Sequence, residues 1–362
     1  MKAFVVVVCV LLVLCSGATP LPPLPEGEDC FTVATIGDTQ DYADNGETVV
    51  NPSFEHRIDW LSSEENVKAQ NILFVSHQGD IVNNPSKPAE WEFASRQMAR
   101  LEGKVAYGIC PGNHDMVGGG ITAAFQKHFP ESRFSKFAWY GGSYAGTNAV
   151  LRGKNRAFVY GNNSNSYQIF DWKGMKFAVF HLQCNAGHRV LEWVNGLLRG
   201  ELCGRQAIVV THQYLGRLSK RKDELLPRKL QCPSQWNLGR MYWAKEQVDD
   251  TLNPWQSWEF CYARNPNLFL ILCGDQSEAL SYHQSTKAAD GHIVQECVTD
   301  YPHSPTSDWI RLYRFFPRRN KIEAITFSPT SGELCESAGY LTEARFHQFE
   351  MPWTPPRAGD GR

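Results

Sequence analysis

Five short apolar runs in this chain each end in residues that can hold a cation or move a proton. GDTQ carries Asp38 and Gln40, GDIVNN carries Asp80 and Asn83, and PGNHD carries Asn113, His114 and Asp115. THQY carries His212, and LFLILCGDQS carries Asp275. Carboxylate, amide and imidazole groups together are the oxygen and nitrogen donors of a divalent-metal site, with histidine also able to transfer protons. Each piece alone reads as a turn or a self-hydrogen-bonding loop. Their recurrence at strand ends points to one shared pocket, because in open α/β sheets the carboxyl ends of the strands border a crevice.

The elements that must position these residues are legible as apolar runs: 31–36, 71–76, 104–109, 176–182, 206–210 and 268–272. Between them, Trp91, Ala94, Met98 and Leu101 recur at helical spacing within 86–101, and Val190, Leu191, Val194 and Leu198 do so in a second stretch. Strands alternating with helices predict an α/β fold whose strands are buried on both faces. DWIRLYRFF and KIEAITF flank PRRN and predict an antiparallel C-terminal β-hairpin. One domain over 30–353 is the simplest organisation, preceded by a proline-rich linker at 19–29 and followed by a tail at 354–362. A long charged insert at 213–257, bearing Trp236, Trp243 and Trp255, has the length of a lid, a binding loop or an ordered surface excursion.

The 362 residues are 42% hydrophobic with a net charge of -2, so a sizeable core is expected and no basic excess marks a nucleic-acid partner. Residues 1–18 combine Lys2, an apolar run and small residues at Ser16 and Ala18, the pattern of a secretory signal peptide. The expected mature protein is secreted or in the lumen of the secretory pathway, without a transmembrane segment. Of eleven cysteines, Cys9 and Cys15 lie in that signal; the remaining nine are disulfide candidates with at least one left over, and Cys273 is the expected free thiol. Asn162-Asn163-Ser164 is a glycosylation sequon.

The order GDxQ, GDIV, GNHD, TH and a final strand followed by glycine resembles the calcineurin-like metallophosphoesterases. The likeness is to a secreted or periplasmic subgroup with glutamine in the first motif, and it extends from about Phe31 to Trp353. The resemblance implies a four-layer αββα sandwich with up to two divalent ions at the strand ends. Asp80 would bridge them, Asp38 and Gln40 would hold one, and Asn113 and His212 the other. His114 would act as general acid or phosphate donor, its ring oriented by Asp115. The family closes both sites with a GHxH motif, aligned here with Gly274, Asp275, Gln276 and Ser277. Asp275 remains a possible ligand for the His212 ion; the Asp38 ion loses its only nitrogen donor, which favours magnesium, calcium or manganese over zinc, with manganese, iron, zinc, magnesium and calcium all open for the centre as a whole.

Three functions stay open at this stage. The first is a phosphoesterase that hydrolyses a phosphomonoester or phosphodiester, small or macromolecular, through a metal-activated water. The second is a catalytically impaired pseudo-phosphoesterase acting as a binding protein, and the third a calcium-holding structural protein. Oligomeric state, metal identity and substrate are not encoded in any motif.

Overall fold

The computed structural model describes residues 19–43, 52–117, 122–150, 157–159, 162–216, 252–275, 280–301, 308–338 and 341–355. Outside them lie residues 1–18, where a signal peptide is expected, Gln276 with Ser277, Cys232, the body of the insert with Trp236 and Trp243, and the tail from 356.

Among the described residues, the apolar runs build two mixed sheets. In the first, β1 (Phe31–Ile36), β2 (Ile72–His77) and β3 (Ala106–Ile109) are parallel neighbours. The antiparallel strands β13 (Ile310–Phe316), β14 (Lys321–Phe327) and β15 (Gln348–Pro352) extend it from the other side of β1, in the order β15-β14-β13-β1-β2-β3. The expected hairpin is β13 and β14, and Asn320 at its turn takes a left-handed φ of 51°, which asparagine tolerates.

The second sheet contains β4 (Tyr140–Ser143), β7 (Ser166–Trp172), β8 (Met175–Leu182), β9 (Gln206–Thr211), β10 (Leu268–Cys273), β11 (Leu280–Lys287) and β12 (Ile293–Asp300). Its order is β11-β12-β10-β9-β8-β7-β4, with β8, β9, β10 and β12 parallel. Strands β5 (Thr147–Val150) and β6 (Ala157–Val159) form a separate ribbon.

Alternation along each strand assigns the layers, because successive side chains point to opposite faces. Phe31 and Val33 pack with Phe177, Val179, Ile208 and Val210 between the sheets. Ala34 and Ile36 pack outward against Phe54, Ile58, Trp91 and Met98 of the helices Ser53–Ser62 and Pro88–Ala99. On the far side, Ala178, Phe180 and Val209 meet Val190, Leu191, Val194 and Leu198 of the helix His188–Arg199. The result is the helix, sheet, sheet, helix sandwich. Phe31 anchors its middle, stacked 4.6 Å from Phe315, and full burial of each such side chain contributes roughly 1.5–3 kcal/mol.

The disulfide expectation is not met among the described residues. Cys30, Cys110, Cys184, Cys203, Cys261, Cys273, Cys297 and Cys335 are all unpaired, and every one but Cys203 is buried. Cys273 is therefore one free thiol among eight. These thiols pack as small hydrophobes, and burial pushes the pKa of Cys297 and Cys335 up to about 12, which keeps them unreactive. Asn162 of the sequon is exposed, with its Oδ1 accepting from the Glu131 amide at 2.9 Å. No helix among the described residues is long and apolar enough to cross a membrane.

Candidate metal centre

The parallel strands of both sheets bring their carboxyl ends to one place, where the loops after β1, β2, β3, β9 and β10 converge. Asp38 follows β1, and the Thr39 amide beside it donates to the Asp80 carbonyl at 3.0 Å, tying the first loop to the second. Asp80 follows β2 with a left-handed φ of 48°. Its Oδ1 accepts from the His114 amide at 2.9 Å, which ties in the third loop.

Two glycines permit this closeness. A Cβ on Gly112 would stand 2.3 Å from the Asp80 amide nitrogen and 2.2 Å from its Oδ1. One on Gly274 would stand 2.5 Å from Asp38 Oδ1, so the glycine of the final motif keeps its steric duty although the histidines after it are absent.

His212 follows β9 and is fully buried. Its Nδ1–H donates to the Gln78 carbonyl at 2.9 Å, since a carbonyl can only accept; this fixes the tautomer and presents the Nε2 lone pair. Nε2 lies 3.1 Å from Asp80 Oδ1 and 3.4 Å from Asp275 Oδ1. Asp275 follows β10 at a φ of 62°. Its Oδ2 accepts from Gln213 Nε2 at 2.8 Å, and Gln213 Oε1 in turn accepts from Asn185 Nδ2 at 2.8 Å.

Ligand atoms of Asp38, Asp80 and His212 lie within 4.8 Å of one another, all buried. Buried polar atoms ordinarily have hydrogen-bond partners. Here Asp38 Oδ1, Gln40 Oε1 and Asn113 Oδ1 have none, and His212 Nε2 meets only the carboxylate oxygens of Asp80 and Asp275. Three partnerless oxygens on these loops, with a buried imidazole nitrogen among carboxylates, are the environment that a divalent cation satisfies, and the donor types fit it.

The electrostatics agree. Burial, then the charges of Asp300 and Asp80, push the Asp38 carboxyl well above its ordinary range, with His212 opposing. Burial disfavours protonated His212, but the carboxylates of Asp80 and Asp38 and close contact with Asp275 outweigh it and raise its pKa well above the usual value. The cluster holds protons where a cation would otherwise balance its charge.

His114 and Asp115 divide differently from the sequence expectation. The His114 ring is held by the Asn83 carbonyl, which accepts from Nδ1 at 3.1 Å. Asp115 is a backbone clamp instead: Oδ2 accepts from Gly112 at 2.7 Å, and Oδ1 from Ile81 at 2.9 Å and Val82 at 3.0 Å. Its assignment as the orienter of His114 is therefore corrected; an Asp in this turn satisfies the nearest orphaned amides first. Burial and the Asp80 charge raise its pKa to about 7, against these three amide bonds.

Several participants were not anticipated from sequence. Gln213 and Asn185 buttress Asp275, Gln78 orients His212, and buried Arg57 donates through NH1 to the Asp38 carbonyl at 3.3 Å. Gln213 stands beside His212 in THQY and could have been marked; nothing in the sequence links Asn185 or Arg57 to the centre. His283 is no ligand of it, its ring stacked 4.2 Å from Phe349.

Residues 31–276 match the family model described as calcineurin-like phosphoesterase. A curated relative, the uncharacterized protein YvnB of Bacillus subtilis (strain 168), is 26% identical over 315 residues, covering 84% of this chain and 20% of that protein. The chain thus spans about a fifth of that relative's length. Among solved structures, purple acid phosphatase PPD1 from yellow lupin (Lupinus luteus) seeds is 12% identical at a TM-score of 0.49, covering 90% of this chain and 54% of that one. The protein TT1561 of Thermus thermophilus is 8% identical at a TM-score of 0.39, covering 86% of this chain and all of that one. The family match takes in more than half of the chain and every loop from Asp38 to Asp275 that builds the centre, and so the chain belongs to the calcineurin-like phosphoesterase family.

Proposed function

We propose that this chain is a metal-dependent phosphoester hydrolase acting on a phosphomonoester or phosphodiester outside the cytosol, with an ion preference shifted toward hard cations. The observation that carries the reading is the buried cluster of Asp38, Asp80 and His212, whose ligand atoms lie within 4.8 Å of one another, with partnerless oxygens on Asp38, Gln40 and Asn113. An unsatisfied buried polar atom costs about 1–3 kcal/mol, which cations bound at this cluster would offset.

Asp38, Gln40 and Asp80 would hold one ion, and Asp80, Asn113, His212 and Asp275 the other. When bound, divalent ions supply Lewis-acid activation of water and neutralise phosphoryl charge. The chain's own groups do the positioning. The His114 amide fixes the Asp80 carboxylate, and Gln78 fixes the His212 ring. The Asn83 carbonyl holds His114 Nδ1, so a protonated ring would direct Nε2–H at a leaving oxygen as general acid.

The test is to express the chain from Thr19 and measure bound metal beside hydrolysis of an aryl phosphate and a bis-aryl phosphate with manganese, magnesium, calcium and zinc. Turnover should appear with a hard ion and fall at least ~10³-fold in Asp80→Asn, equivalent to about 4 kcal/mol of transition-state stabilisation. A second reading, a binding protein without turnover, is favoured by the loss of both histidines of the final motif at Asp275 and Ser277. Bound metal with no hydrolysis under any ion would decide for it.

A further inference from the structure

Position 275 holds a carboxylate where the family motif has an imidazole, and the side chains behind it are arranged for that carboxylate. Asp275, Gln213 and Asn185 stand in the loops after β10, β9 and β8, three neighbouring parallel strands of the second sheet. The Gly274 amide donates to the His212 carbonyl at 2.9 Å, which fixes the loop of Asp275 to the loop of Gln213. Gln213 and Asn185 are only 3% and 4% exposed, so their amides are oriented by protein partners rather than by water.

The polarity of this row follows from the chemistry of its first member. A carboxylate can only accept, so Gln213 turns Nε2 toward Asp275 Oδ2, at 2.8 Å. That leaves Gln213 Oε1 on the other side, where Asn185 Nδ2 donates to it at 2.8 Å. Asn185 Nδ2 also reaches Cys184 Sγ at 3.5 Å. With Oδ2 engaged, Asp275 turns Oδ1 to the centre, 3.4 Å from His212 Nε2. Two ligand atoms each ~2.1 Å from one ion stand ~3–3.5 Å apart, so this spacing suits a shared cation. An imidazole at 275 would need the reverse support. Its free N–H has to donate, as that of His212 does to the Gln78 carbonyl, and Gln213 meets it with another N–H.

We propose that Gln213, braced by Asn185, is a positioning residue that makes Asp275 the working replacement for the imidazole and presents it to the His212 ion through Oδ1 alone. The inference rests on the reading of these loops as a metal centre. The departure at position 275 is then a matched exchange of ligand and support rather than the loss of a site.

Manganese titrated into the metal-free chain, followed by calorimetry and elemental analysis, tests this. Gln213→Leu, close in size but without the amide, should weaken one bound ion by ~10–100-fold, the usual effect of losing such a support, and leave any other ion unchanged. Unchanged affinity would overturn the inference while leaving the proposed function standing, as would two ions weakened alike. The reciprocal exchange separates positioning from a merely structural role. Asp275→His places an imidazole against the wrong support, and adding Gln213→Glu supplies an acceptor for its N–H while keeping one for Asn185. The double variant should bind the ion at least tenfold more tightly than Asp275→His alone; binding no tighter overturns the inference. No manganese bound by the unaltered chain would overturn the proposed function as well. If Gln213→Leu fails to fold, Gln213→Glu alone, nearly isosteric and opposing a like charge to Asp275, should show the same weakening, and an unshifted affinity rejects the role.

Discussion

His114 and Asp115 are neighbours in sequence, both of catalytic type, and the structure gives them unlike work. The acceptor for His114 Nδ1 is a carbonyl, whose state does not change with pH, so the ring can take up a proton at Nε2 without losing its anchor. Asp115 joins the loops after β2 and β3 through three amides, so its removal would loosen the ligands Asp80 and Asn113 together. The two roles separate by experiment. His114→Ala should reduce turnover by roughly 10²–10⁴-fold, the range of a lost general acid, while metal content stays that of the unaltered chain. Loss of an ion in that variant would make His114 a ligand and remove it from the proton-transfer role.

At the level of the element, the centre depends on loops that approach more closely than side chains allow. Gly112→Ala drives a Cβ into the backbone and carboxylate of Asp80, at 2.3 and 2.2 Å. The expected result is a destabilisation of about 1–3 kcal/mol in chemical denaturation, with at least one ion lost. An alanine variant that keeps both its stability and its metal would show that the loops can part freely. The same loops explain what the sequence revealed. The strands before them are continuous apolar runs buried on both faces, so β1, β2, β3, β9 and β10 stand out, as β8 does without a ligand, and the ligands follow those five. β7 (SYQIFDW) and β12 (IVQECVTD) mix polar with apolar residues, because their buried polar side chains find partners, as Gln168 does with Ser166 and Glu296 with Tyr214. Such strands show no clear period. The approach of β12 to Gly37, whose added Cβ would stand 3.1 Å from the Thr299 carbonyl oxygen, was hidden for this reason: it arises only when the two sheets pack face to face. The direction of Asp115 was hidden for another, since residue type does not say which orphaned amide a turn carboxylate will reach.

Across the whole molecule, buried histidines set a pH window for the fold. Burial pushes His77 and His181 down to about 3 and His347 to about 4, whereas in the unfolded chain each titrates near its ordinary value of ~6.5. Their folded pKa values are depressed, so below ~6.5 the unfolded state binds more protons and stability falls, by up to ~1.4 kcal/mol per pH unit for each histidine until its folded pKa is reached. His212 has the opposite sign. Its folded pKa is raised, so its contribution is complete below the unfolded value and is lost as pH rises through the folded one. The metal-free chain should therefore weaken in acid as the three histidines charge, an effect that the raised carboxyls of Asp38 and Asp115 partly oppose, and weaken in alkali as His212 loses its proton. A bound cation takes over from the proton on His212, since a ligating imidazole must be neutral. Urea midpoints measured from about pH 4.5 to 8.5 should show the alkaline decline disappearing with manganese while the acid decline persists. If manganese leaves the alkaline limb in place, His212 is not a ligand; if the acid limb is absent, the buried histidines are not held neutral by the fold.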